Sequence, residues 1–226
     1  MGLVINLRGT SGAGKTWLVR EVMAAYRRGG SEPHAITRDG RSRPIGWRLE
    51  HPSGGRALCV VGDYQGARGG TDTIPLKDGG LDEAFRLANS ETSAGRDVLL
   101  EGYQLSWERD RTVELAAHQR SRGQAVHVLC LDVPLSRCVQ NVVRRRRAGR
   151  GARPAIERTA RVGQEALVRA AALLSLAGLC CEWLEPAAAL DRSLALLGVG
   201  QAFAEPVTRP WLVESESGER LAAPWC

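Results

Sequence analysis

The sequence predicts an α/β fold, a mostly parallel sheet with helices on both faces. Three observations carry that expectation. Apolar runs of strand length alternate with stretches of helical period along most of the chain. The first strand-like run passes through a glycine-rich turn straight into the first helical stretch. No run of 18 apolar residues is present, so the 43% of the 226 residues that are hydrophobic point to a buried core and to no membrane span. At roughly 100–200 residues per domain, this length predicts a single domain, residues 1–198, with an insertion, followed by a tail.

Taken in order, LVINLR at 3–8 is a short apolar run ending at glycine, the signature of a buried strand. TWLVREVMAAYRR at 16–28 has helical period, with Leu18, Val19, Val22, Met23 and Tyr26 on one stripe, and Gly29 with Gly30 stops it. AITR and RSRPIGWRLEH read as antiparallel strands joined through Asp39 and Gly40, a two-residue hairpin signal, and define a small β-rich insertion at 33–58. RALCVVGDY follows as a strand, and a glycine-rich loop then covers 65–80. LDEAFRLANSETSAG predicts a helix, DVLLEG a strand, ERDRTVELAAHQRSRG a helix and QAVHVLCLDV a long strand. Helices are expected at about 134–148 and 155–177, then a strand in CCEWLE and a helix in AAALDRSLALLG. The tail, 199–226, is rich in Pro, Glu and Trp and reads either as a hairpin around 215–218 or as an extension.

Six cysteines show no C-x-x-C spacing, and Cys59 and Cys130 fall inside apolar strands, which predicts reduced thiols and a cytoplasmic protein. The N-terminus shows neither the pattern of a secretory leader nor that of a myristoylation signal. The net charge is +6, and the segment 137–169 alone carries ten arginines against two glutamates, so the remainder of the chain is at −2.

Gly9, Thr10, Ser11, Gly12, Ala13, Gly14, Lys15 and Thr16 match G-x-x-x-x-G-K-[ST], with a strand before and a helix after. In such a P-loop the backbone N–H groups curl around phosphate oxygens at the positive end of a helix. Lys15 then reaches the β and γ phosphates and the Thr16 hydroxyl ligates Mg²⁺. The expectation is therefore a P-loop NTPase fold that binds ATP with Mg²⁺. A second carboxylate belongs near the metal, and Glu101, ending the strand DVLLEG, is placed for it. The run at 144–147 resembles the arginine-bearing lid of small P-loop kinases, with Arg144 and Arg147 able to share a helix face and clamp the phosphates. Contact with a nucleic-acid backbone, or a plain solvated face, would use the same residues.

No guanine-reading N-K-x-D element is present, and the arginine-rich segment favours transfer to an acceptor over simple hydrolysis. Transfer to a hydroxyl needs a carboxylate that takes or orients its proton. Asp63, at the end of ALCVVGD, Asp72, in GGTDT, and Glu101 are the candidates. The glycines beside Asp72 permit close backbone approach to a ligand, although a surface loop with a local Asx-turn fits the same residues.

Gly62, Asp63 and Tyr64, followed by Gly69, Gly70, Thr71, Asp72, Thr73 and Ile74, lie downstream of the P-loop and before the strand ending in Glu101 and Gly102. This stretch resembles phage-type P-loop kinases. In particular it is similar to the 5-hydroxymethyluracil DNA kinases, which phosphorylate the hydroxymethyl group of a modified base within DNA. The similarity covers roughly residues 3–150 in the order of the elements. The family pattern has a cysteine near the glycine pair, where this chain has Ala67 and Arg68. The resemblance implies DNA containing a modified base as partner, Asp72 as the base ahead of Asp63 and Glu101, and the host cytoplasm as location for a phage-encoded chain. Gly69, Gly70, Thr71 and Thr73 would then bind the acceptor. A target base would have to leave the duplex, and Tyr64, Tyr103 and Trp107, which follow strand ends, are expected to stack on it. Trp17 and Trp183 are expected in the core. A kinase for a free nucleotide or small metabolite, and a nucleic-acid-binding NTPase without an acceptor, are the competing readings.

Overall fold

A computed structural model describes residues 2–66 and 69–200, the side chain of Arg150 excepted. The expected turn at 215–218, together with Ala67, Arg68 and Cys226, lies outside the described residues. Among the described residues, a seven-stranded sheet has the order β2-β3-β4-β5-β1-β6-β7. Its strands are β1 (Val4–Arg8), β2 (His34–Ile36), β3 (Gly46–Leu49), β4 (Leu58–Val61), β5 (Asp97–Glu101), β6 (Val126–Leu131) and β7 (Cys181–Leu184). Five of these, β4 to β7 with β1 among them, run parallel, whereas β3 is antiparallel to both β2 and β4. The helices are α1 (Lys15–Arg28), α2 (Gly80–Ser93), α3 (Asp110–Ser121), α4 (Leu135–Arg146), α5 (Arg153–Leu176) and α6 (Pro186–Leu196).

Strand β1 is central, and every one of its residues is buried. Successive side chains point to opposite faces. Ile5 and Leu7 therefore pack with Leu18, Val22 and Tyr26 of α1 and Leu190 and Leu194 of α6. Val4 packs on the other face, with Phe85 and Leu87 of α2 and Leu115 of α3. Farther along that face, Val128 and Cys130 meet Leu167 and Leu174 of α5. The same alternation sends Asn6 and Arg8, both fully buried, toward α3, where Arg8 Nη2 donates to Thr112 Oγ1 at 2.8 Å and Nη1 to the Glu108 carbonyl at 2.6 Å. These two polar residues within an apolar strand tie the sheet to the segment that follows β5.

Two expectations change. Asp39 and Gly40 do form a turn, with the Arg41 N–H donating to the Arg38 carbonyl at 3.1 Å, but the strands it was expected to join end at Ile36 and begin at Gly46. Pro44 has no N–H for a ladder, and Arg41 is drawn off to Asp78 Oδ2 at 2.6 Å and the Thr73 carbonyl at 2.7 Å. The segment 33–58 thus contributes β2 and β3 to the edge of the main sheet. Trp183, expected in the core, is 40% exposed because β7 is the opposite edge, while Trp17 packs against the core as expected. Cys59 and Cys130 are buried, and the five described cysteines are free thiols. No helix among the described residues is long and apolar enough to cross a membrane.

Candidate active site

Because β4, β5, β1 and β6 are parallel, their carboxyl ends meet on one side of the molecule. The chain turns there directly after Arg8. Gly12 and Gly14 take φ angles of 90° and 101°, and Gly14 caps α1. Side chains rarely adopt this region. A side chain at Gly12 would also collide with the carbonyl of Cys138, since α4 lies across the loop and Asn141 Nδ2 donates to the Gly12 carbonyl at 2.9 Å. Lys15 is buried, with its Nζ donating to the Gly9 carbonyl at 2.5 Å. Burial lowers its pKa, and the charges of Glu101 and Asp72 oppose that shift. Thr16 Oγ1 donates to Glu101 Oε1 at 2.9 Å. The residues read as metal-holding from sequence are therefore in direct contact.

Glu101 is 2% exposed. Burial raises its carboxyl pKa, against the pull of Lys15 and of the hydrogen bond from Thr16. The loop at 69–73 crosses directly over it. Gly70, with φ 80° and ψ −166°, occupies a region essentially confined to glycine, and a side chain there would strike the Glu101 carbonyl and carboxyl. A side chain at Gly69 would meet Tyr64 and Thr16, and one at Gly62 would meet Gly70. These glycines let the loop thread between the ends of β4 and β5. Thr73 Oγ1 staples it, donating to the Gly70 carbonyl at 2.7 Å and accepting the Asp63 N–H at 2.8 Å.

Asp72 is exposed at the crest of this loop. Its Oδ2 accepts the Tyr103 N–H at 2.5 Å and its Oδ1 the Gln104 N–H at 3.3 Å. The carboxylate thus bridges two loops, where a purely local Asx-turn was the competing expectation, and its charge is felt at Lys15, Glu101 and Tyr64. Asp63 is 5% exposed, and its Oδ1 accepts the Gln65 N–H at 2.9 Å, an Asx-turn of its own.

Several expected roles shift. Tyr64 is buried in the core with its hydroxyl facing Glu101, so its ring offers no surface for stacking. Thr73's hydroxyl is occupied by the staple, and Thr71, 2% exposed, lies beneath Gly102. Tyr103 and Trp107 are half-buried and form an edge-to-face pair with ring centroids 4.2 Å apart. Arg144 and Arg147 are exposed, and neither hydrogen-bonds to the P-loop among the described residues. Arg145 is the arginine that reaches it, with Nη2 3.5 Å from Ser11 Oγ and a charge that lowers the Lys15 pKa. The helical phase contains the signal: Cys138, Asn141 and Val142 face the loop, and Arg145 lies three or four residues beyond the last two.

Sequence reading did not single out Ser106. Its Oγ accepts the Gly9 N–H at 3.2 Å and lies within donating distance of the Gly102 carbonyl at 2.8 Å and the Gly9 carbonyl at 3.0 Å. It pins the segment bearing Tyr103 and Trp107 to the start of the P-loop. A lone serine in a loop has no pattern that reveals such a contact.

No family model matches the chain. Over 153 residues, 68% of its length, the chain is 34% identical to the 5-hmdU DNA kinase of Pseudomonas phage PaMx11, and the match spans 74% of that protein.

Proposed function

The chain belongs to the 5-hmdU DNA kinase family and is a phosphotransferase with a hydroxyl acceptor; from that premise we propose that it transfers the γ-phosphate of ATP to the hydroxymethyl group of 5-hydroxymethyluracil in DNA. The observation that carries the proposal is the position of Asp72, an exposed carboxylate on a loop packed directly over Thr16 and Glu101. Glycines at 69 and 70 let the loop pass close over Thr16 and Glu101, which brings an acceptor-side carboxylate near the phosphate-side residues.

Each residue then has a task. The N–H groups of the P-loop and Lys15 hold the triphosphate at the N-terminus of α1. Arg145 adds positive charge from the α4 side, where charge develops on the transferred group. A hydroxyl and one carboxylate suit Mg²⁺, which takes hard oxygen ligands and completes its shell with water and substrate phosphates, so Thr16 and Glu101 would hold it. When bound, the metal neutralises charge on the phosphate oxygens. Asp72 orients the acceptor hydroxyl and accepts its proton, while the Tyr103 and Gln104 N–H groups fix the carboxylate's direction. Tyr103 and Trp107, which follow directly after the acceptor-side N–H groups, offer aromatic surface to the opened strand beside the acceptor.

The test is transfer from γ-labelled ATP, with Mg²⁺, to DNA carrying 5-hydroxymethyluracil, followed by digestion to nucleosides. Label on the modified nucleoside is the expected result. Label appearing only as free phosphate would replace the proposal with an NTPase activity.

A further inference from the structure

Beside the site lies a groove of ≈ 760 Å³, within the range of ligand pockets. One wall is the segment after β5, with Tyr103 and Trp107; the other is the middle of α5, with Val162, Gly163, Arg169 and Leu173. Gly163, buried on α5, is where the two walls meet. A Cβ placed on it would stand in van der Waals contact with Tyr103 Cε2 at 3.9 Å, so the groove opens past this contact, along Val162 and Leu173, which line it. Val162 and Leu173 are 57% and 42% exposed, which leaves an apolar strip facing the aromatic pair.

The charges around the groove are unequal in their engagement. Arg109 and Arg111 are held by Asp110 and Asp82, each at 2.5 Å. Arg169 has no acidic partner among the described residues. The groove neighbours the acceptor site: Tyr103 and Gln104, which line it, are the residues whose N–H groups donate to the Asp72 carboxylate.

We propose that this groove binds the nucleotide adjacent to the target base on a single DNA strand. Its base lies between the Tyr103–Trp107 pair and the apolar strip of α5, and its phosphate meets Arg169. The inference rests on the DNA kinase reading and adds a second subsite to it. An aromatic pair facing an apolar wall accepts any base by its flat face, which gives affinity without sequence preference. A base still stacked in a duplex presents no free face, so the occupant is an opened or single-stranded nucleotide. The subsite makes the enzyme measure its substrate by a neighbour as well as by the modified base.

The experiment is a length series of oligonucleotides, each with one 5-hydroxymethyluracil and extended one nucleotide at a time on either side. KM is measured for the wild type, Val162→Glu, Gly163→Leu and Arg169→Ala. In the wild type, adding the first neighbour on one side should lower KM by about tenfold, the scale of one stacked base. Val162→Glu, at an exposed lining position, sets a carboxylate in the apolar strip and should remove the gain from a neighbour with Tm unchanged. Gly163→Leu pushes a side chain from a buried position past Tyr103 into the groove, and its Tm is measured beside its KM. In both variants KM should be insensitive to length. Arg169→Ala should flatten the salt dependence of KM for the longer substrates.

Transfer that is insensitive to neighbours in the wild type, or a length dependence unchanged in Val162→Glu or Gly163→Leu, overturns the proposal while leaving the kinase reading intact. Sedimentation showing dimers that Gly163→Leu dissolves would make the groove an interface between copies and likewise overturn it. Absence of transfer to the modified base at any length removes the kinase reading, and the subsite with it.

Discussion

Glu101 carries a charge in a place that disfavours charge, and the conflict has a measurable sign. Burial holds its carboxyl pKa above the ordinary range, so the folded chain binds a proton there that the unfolded chain has already released. The contribution to stability is greatest below the ordinary carboxylate range and declines as pH rises through the window up to the raised value. Glu101→Gln should therefore raise Tm at neutral pH, with the difference from wild type vanishing in acid, while kcat falls by about 10² or more. Thermal scans across pH, paired with turnover, check both halves. Asp72 makes the complementary case. Asp72→Asn keeps one oxygen for the Tyr103 N–H, gives up the longer bond from the Gln104 N–H and cannot take a proton, so kcat should fall by roughly 10²–10⁴ with nucleotide affinity nearly unchanged. Near-normal turnover would pass the role to Glu101 or Asp63. At this scale the sequence was legible where chemistry demands fixed spacing, as from Gly9 to Thr16, and where a strand end presents a carboxylate. It was silent where a role depends on what lies across the fold. The burial of Tyr64 under Gly69 and the staple made by Thr73 are contacts between segments, and no local pattern encodes them.

At the scale of elements, α4 shows how one helix can be read correctly and its active face missed. The four arginines at 144–147 are consecutive, so each points about 100° from the next, and only the phase of the buried stripe tells which one faces the loop. Cys138 and Val142 fix that phase, and Arg145 follows from it. Arg145→Ala should lower kcat by about 10² or more, as removal of a charge beside the transferred phosphate does. Arg147 ends the helix with φ 49°, in the left-handed region. Arg147→Gly should stabilise the protein by roughly 1 kcal/mol, seen as an upward shift in the denaturation midpoint. A fall in stability would show that the side chain contributes more than its backbone strain costs. The strands and helices themselves were legible throughout, because the central strands are covered on both faces and read as continuous apolar runs. The span between β2 and β3 was not. Asp39 and Gly40 supply the local turn chemistry, but Arg41's bonds to Asp78 and Thr73 pull the intervening chain off the ladder.

For the whole molecule, the parallel sheet explains why residues from positions 9 to 106 converge: it delivers the ends of β1, β4 and β5 to one edge, where the glycine-rich loop bridges them. The basic surplus of the chain lies in the α4–α5 region, beside the P-loop on one side and the aromatic groove on the other. A polymer can use both, whereas a free nucleotide reaches only the acceptor position. The proposed acceptor is the modified base within DNA. The measurement that tests it most directly is kcat/KM for a single-stranded oligonucleotide containing 5-hydroxymethyluracil against that for the free 5-hydroxymethyl-deoxyuridine monophosphate, at one salt concentration. Stacking of a neighbour together with phosphate contacts should favour the polymer by about 10² or more. Equal values, or a preference for the free monophosphate, would contradict the account and place the protein's acceptor among small molecules.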